Sequence, residues 1–198
     1  MNEKHNQFTS RVNALFEAHG VKNLTMDQVA IDLGISKKTL YEMYRDKAGL
    51  IWEVLNFRLH ECKHTPPENI NAIEFLMHIR KTIILCIQEM PAMIIQDLHR
   101  YYPGILQNYM RQKRMHILSA MRVNIEEGIV QGLFRKDINP DLVARLYILM
   151  VEAVLEQRGH EDFQKLNELI TYHVHAISTQ KGIDFYHNHV MPKLKTDE

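Results

Sequence analysis

The feature that most constrains this chain is a pair of very short helix signals set around one glycine, within roughly residues 25–45. Thr25-Met26-Asp27-Gln28 has the form of a capping box, in which the threonine hydroxyl accepts from a backbone N–H three residues on and Gln28 reaches back. Met26, Val29, Ala30 and Leu33 then recur on one helical face. Gly34 stops that helix, Ile35 follows, and Ser36 is a good N-cap for the next one. In the second helix Leu40 and Tyr44 share a face, while Ser36, Lys37, Lys38, Thr39 and Tyr41 lie off it. Two short helices joined by a tight glycine turn, with a third behind them, form a helix-turn-helix. The small Val29 and Ala30 let the second helix pack across the first.

The third helix reads from about Gln7 to Ala18, where Phe8, Val12, Leu15 and Phe16 form one apolar stripe and Gly20 sits at the end. Asp46 is an N-cap for a fourth helix carrying Leu50, Ile51, Val54, Leu55 and Leu59. Thr65-Pro66-Pro67 ends it, because two prolines cannot continue a helix. After that break the pattern stays helical. Ile70 to Glu89 is apolar on more than one face, so it is expected to be buried on several sides. Pro91 restarts the chain, Pro103-Gly104 marks a short break, and a long helix spans about Ile105 to Val130. Asn139-Pro140-Asp141 is an N-cap, a proline at the first turn and an acid suited to the helix dipole. That helix reads from about Asn139 to Gln157, with Gly159 closing it, and a last one from about Asp162 to Ser178. The fold class is therefore all-α, without a strand signal. The division expected is a helix-turn-helix DNA-binding module at 1–50, a helical domain at 51–181, and a loosely held tail at 182–198.

Composition narrows the partners. Lys and Arg total 24, as do Asp and Glu, so any nucleic-acid binding must come from a local patch rather than from net charge. The window Ile35 to Lys47 supplies one: Lys37, Lys38, Arg45 and Lys47 against Glu42 and Asp46. Two cysteines, Cys62 and Cys86, do not make a disulfide framework. With no apolar leader and no apolar run of membrane-spanning length, the expectation is a cytoplasmic protein without a membrane partner.

Thr25-Met26, Val29-Ala30, Gly34-Ile35-Ser36, Thr39-Leu40-Tyr41, Tyr44, Lys47 and Leu50 together resemble the N-terminal signature of the tetracycline-repressor (TetR) family of transcriptional regulators. The resemblance covers about residues 8–55. It departs at Lys38, where a small residue is frequent, and at Tyr44, where phenylalanine is usual. It implies a non-enzymatic repressor that binds a near-palindromic double-stranded operator as a homodimer and is released by a small-molecule effector. Carried onto this chain, Lys37 and Lys38 are the readers of base edges, since lysine suits guanine O6 and N7. Thr25, Thr39, Tyr41 and Lys47 are phosphate contacts, and Ser36 stands with them at the head of the second helix. Effector binding is expected among the middle helices, at Met90, Met93, His99, Tyr102, Met115, Met121 and Met150, methionine being adaptable to varied ligands. Dimerisation is implied through the last two long helices, at Leu142, Leu146, Leu149, Leu166, Leu169, Ile170, His173 and Ile177.

Two rival sites are weighed down. His60-Glu61-Cys62-Lys63-His64 fits the zinc-protease pattern H-E-x-x-H, but prolines follow at once, Pro67 and Ile70 stand where an extended motif needs glycine or histidine, and no downstream acid appears at Ile84. A weak adventitious metal site at His60, Cys62 and His64 is the more plausible use of that run. The 12 histidines are scattered, and pairs such as His173 with His175 do not share a helix face. His187 and His189 fall in the expected tail. No catalytic residue, cofactor or metal is expected.

Overall fold

The protein is described from a computed structural model, covering residues 3–61, 69–88, 90–156 and 162–194. The double proline, Cys62, His64 and Gly159 lie outside these residues.

Local signals place the first helices. α1 spans Glu3–His19, α2 Met26–Leu33, α3 Lys37–Tyr44 and α4 Lys47–Glu61. The capping box at Thr25 is complete: Gln28 N–H donates to the threonine hydroxyl, and Thr25 N–H donates to Gln28 Oε1 at 2.9 Å. Gly34 takes φ +67°, the left-handed region that glycine enters without a Cβ penalty, and its N–H turns back onto the carbonyls of Ala30 and Ile31. Asp46 caps α4 by accepting the Gly49 N–H at 2.7 Å. Gly49 is required by space, since a Cβ there would lie 2.2 Å from the Tyr44 carbonyl oxygen.

The remaining helices are α5 at Ala72–Gln88, α6 at Ala92–Tyr101, α7 at Pro103–Val130, α8 at Pro140–Glu156 and α9 at Asp162–Ile177. The chain divides into two compact units. The first comprises residues 1–63 and 86–113, the second residues 64–85 and 114–198. The first core gathers Val12, Phe16, Val29, Leu40, Tyr44, Leu50, Ile51 and Leu98. The second gathers Phe75, Leu76, Met121, Phe134, Tyr147, Ile170 and Tyr186. Each such side chain stabilises its unit by about 1.5–3 kcal/mol on leaving water.

Residues 180–194 are helical, where the sequence reading expected a loosely held tail from 182. α10 spans Gln180–Phe185, a π-helix follows at Tyr186–Val190, and α11 covers Met191–Leu194. Thr179 caps α10, and its hydroxyl also donates to the Gly132 carbonyl at 2.8 Å. Tyr186 is fully buried and Val190 nearly so. Those two apolar residues, four apart on a helical turn, hold the segment to the second core. The proline and alternating charges beside them obscure that signal in the sequence.

Candidate nucleic-acid interface

α3 is amphipathic in the sense the motif needs. Leu40 and Tyr44 are buried, while Ser36, Lys37, Lys38, Thr39 and Tyr41 are exposed. Ser36 caps the helix: Thr39 N–H donates to Ser36 Oγ at 3.1 Å, and the two hydroxyls meet at 2.8 Å. The first turn of α3 is thereby fixed, with its donors turned to solvent. Lys37 Nζ lies 2.5 Å from Asp27 Oδ2 of α2, and Lys38 Nζ lies 3.9 Å from Glu42. Both pairs are well exposed, so each contributes little to stability and a phosphate or base edge can displace it. Asp27 therefore orients Lys37 without holding it away from a ligand.

Thr25 stands exposed at the head of α2, where free N–H groups and the helix dipole favour an anion. Lys47 is placed differently from a simple surface contact. It is half-buried, and its ammonium donates to the Lys22 carbonyl at 3.1 Å. Burial lowers its pKa, and the Asp97 charge opposes that shift. Lys22 N–H in turn donates to Asp97 Oδ2 of α6 at 2.8 Å. Lys47 thus braces the loop between α1 and α2 from α4, and α6 holds the same loop from the other side. Sequence reasoning missed Asp27, Asp97 and Gly49 as shapers of this surface. A glycine two residues past a helix start hints at close approach, whereas Asp97 carries no local signal.

The other expected sites fare unevenly. Of the methionine set, Met90 and Met121 are buried core residues, and Met93 and Met115 are exposed. Met90, Met93, His99 and Tyr102 belong to the first unit, and Met115, Met121 and Met150 to the second. The second unit instead has a cleft of about 540 Å³ lined by Gln164, Glu168, Thr171, Tyr172, His175 and Tyr186 among others. On α8, Leu142, Leu146 and Leu149 are each about half exposed, at 56%, 48% and 50%. On α9, Leu166, Ile170, His173 and Ile177 are buried in the unit's own core and Leu169 packs partly against it. On α9 the face read as an interface turns inward within the chain, and Tyr172 lies outside. His173 packs its ring on Tyr147, centroids 4.5 Å apart, and burial lowers its pKa to about 4.

Of the H-E-x-x-H run, Cys62 and His64 lie outside the described residues. His60 is exposed in the last turn of α4, and among the described residues no group of three or more histidines, cysteines or acids gathers to hold a metal. No described helix is long and apolar enough to cross a membrane.

A capped first helix, a left-handed glycine turn and a second helix with a buried anchor face and an exposed donor face define a helix-turn-helix DNA-binding protein. Residues 13–54 match the family described as bacterial regulatory proteins, tetR family. That match covers the helix-turn-helix module, and the chain is a DNA-binding transcriptional regulator. It is 27% identical over 174 residues to an uncharacterized HTH-type transcriptional regulator of Bacillus subtilis (strain 168), YhgD, covering 80% of this chain and 88% of that one. Its fold is similar to a TetR transcription regulator of Haloarcula marismortui, with TM-score 0.68, 16% identity, and 90% and 100% of the two chains covered. It is also similar to a Saccharomonospora viridis protein solved in complex with choline, with TM-score 0.63, 17% identity, and 91% and 100% covered.

Proposed function

We propose that this regulator represses transcription by binding a near-palindromic operator as a homodimer, and that a small-molecule effector releases it. The observation that carries the reading is α3, whose buried Leu40 and Tyr44 leave Ser36, Lys37, Lys38, Thr39 and Tyr41 free to enter a major groove. Lys37 and Lys38 read base edges. Thr25, Thr39 and Tyr41 contact phosphate, and Lys47 reaches it or shapes the loop that does.

Support for the dimer is the half-exposed leucine stripe of α8. Leu142, Leu146 and Leu149 are spaced i, i+4, i+7, one face of a helix, and leaving such a stripe in water is unfavourable. A second copy covers it, and two recognition helices then meet half-sites about 34–36 Å apart. The effector enters the cleft beside α9, where the exposed Tyr172 offers an apolar face with a polar tip. That a similar fold was solved with choline supports an effector of small-molecule size.

The test is an anisotropy titration against duplex from the region upstream of the protein's own gene, repeated across salt concentrations. The expected result is specific binding that weakens steeply with salt. A folded preparation that binds no duplex specifically, including one drawn from a genome-wide selection, overturns the reading. Leu146→Glu is expected to shift the protein to monomer in sedimentation and to weaken operator binding. A Leu146→Glu protein that stays dimeric removes the α8 interface.

A further inference from the structure

α9 and the terminal segment are tied at two adjacent levels. Thr171 Oγ1 and Tyr186 Oη lie 2.8 Å apart, and the burial of Tyr186 fixes the start of the π-helix on α9. One turn further along α9, His175 Nε2 and His187 Nε2 face each other at 2.9 Å. The two rings meet at 66° with centroids 5.1 Å apart. Both side chains are exposed.

The proton arrangement on His175 follows from its other nitrogen. Nδ1 lies 2.7 Å from the Thr171 carbonyl oxygen, which can only accept, so Nδ1 carries the hydrogen. Nε2 is then left with its lone pair, on the side of the ring that faces His187. A backbone carbonyl that fixes the tautomer and ring orientation in this way is the usual support of a metal-binding imidazole. Two imidazole nitrogens each ~2.05 Å from one ion stand ~2.9–3.3 Å apart, so a small rotation of the two exposed rings turns both Nε2 atoms onto a common ion. Solvent exposure gives an ion entry and lets water complete its coordination. Glu168, which lines the same cleft as His175, adds an acidic side chain to the surroundings.

We propose that His175 and His187 form a two-histidine clip for a divalent transition metal ion of the kind imidazole binds, such as Cu(II) or Ni(II). The ion bridges α9 and the π-helix, beside the buried Tyr186. The clip does not depend on the effector or operator reading.

The test is titration of the full-length protein, stripped with a chelator, by CuCl2 or NiCl2 alone, followed by calorimetry and by Cu(II) electron paramagnetic resonance. The background is a His60→Ala/His64→Ala variant, which removes the two histidines of the H-E-x-x-H run. The expected result is one ion per chain in this background. Adding His187→Ala, or separately His175→Ala, lowers affinity by about tenfold or more and removes nitrogen couplings from the spectrum. Adding His99→Ala changes neither. His175 and His187 are exposed, so unchanged circular dichroism is expected for each variant, and either one alone suffices as the test. Absence of any bound ion leaves an ordinary N–H···N hydrogen bond between the rings and overturns the proposal. Equal binding by the His187→Ala and background proteins overturns it as well.

Discussion

In the first unit, the caps that start the helices around the site span three residues: Thr25 to Gln28, Ser36 to Thr39, Asp46 to Gly49. In the second, the shaping contacts reach across the chain. Ala72 N–H donates to Gln131 Oε1, 59 residues away, and Asn124 Nδ2 donates to the Ala72 carbonyl, 52 away. Thr179 reaches Gly132 over 47 residues. Short-range caps form whenever the local residues are right, so they specify where helices start before any tertiary packing exists. Long-range contacts exist only once the core has brought distant segments together. The contrast is one of degree, because Lys22 and Asp97 of the first unit also meet across 75 residues.

The comparison can be broken most sharply at Gly49. Gly49→Val sets a side chain against the Tyr44 carbonyl, and the expected cost is on the order of 3 kcal/mol with loss of operator binding. Thermal unfolding and a gel shift check both effects, and a variant with unchanged melting would show that the α3–α4 turn tolerates what its geometry forbids. Asn124→Ala probes the other unit. It strands the Ala72 carbonyl at a fully buried position and is expected to cost about 2 kcal/mol in denaturant unfolding.

Lys37→Ala is expected to leave stability nearly unchanged, since its ion pair with Asp27 is exposed, and to alter which operator sequences are preferred by about 1–3 kcal/mol. A binding selection on randomised duplex reads this out. An unchanged preference would move base recognition to Lys38 or elsewhere. The smallest expected effect is Thr25→Ala, about 1 kcal/mol of stability from the lost cap. It should also weaken DNA binding without changing sequence preference. A titration across salt separates it from Lys37→Ala.

The helix-turn-helix was legible because its signals are local and redundant. A capping box, a stop glycine and a second N-cap each constrain the same twenty residues, and the structure uses all three. The interface and pocket residues were less legible. Apolar periodicity says that Leu142, Leu146, Leu166, Ile170 and Ile177 need burial, but it cannot say against what. The structure turns the α9 set into its own core and leaves the α8 leucines half exposed. Methionine content likewise marked adaptable apolar residues without showing that two of them, Met90 and Met121, are ordinary core.

The sequence by itself determined the all-helical class, the turn at Gly34, the donor face of α3 and the likeness of its helix-turn-helix to the tetR family. Each rests on residues within a few positions of one another, where backbone geometry and capping act directly. Only the tertiary structure decided that Lys47 braces a loop, that the chain end is helical and anchored by Tyr186, and that His175 meets His187. Those facts depend on which surfaces pack together. A linear order of side chains carries that information only through the whole core at once.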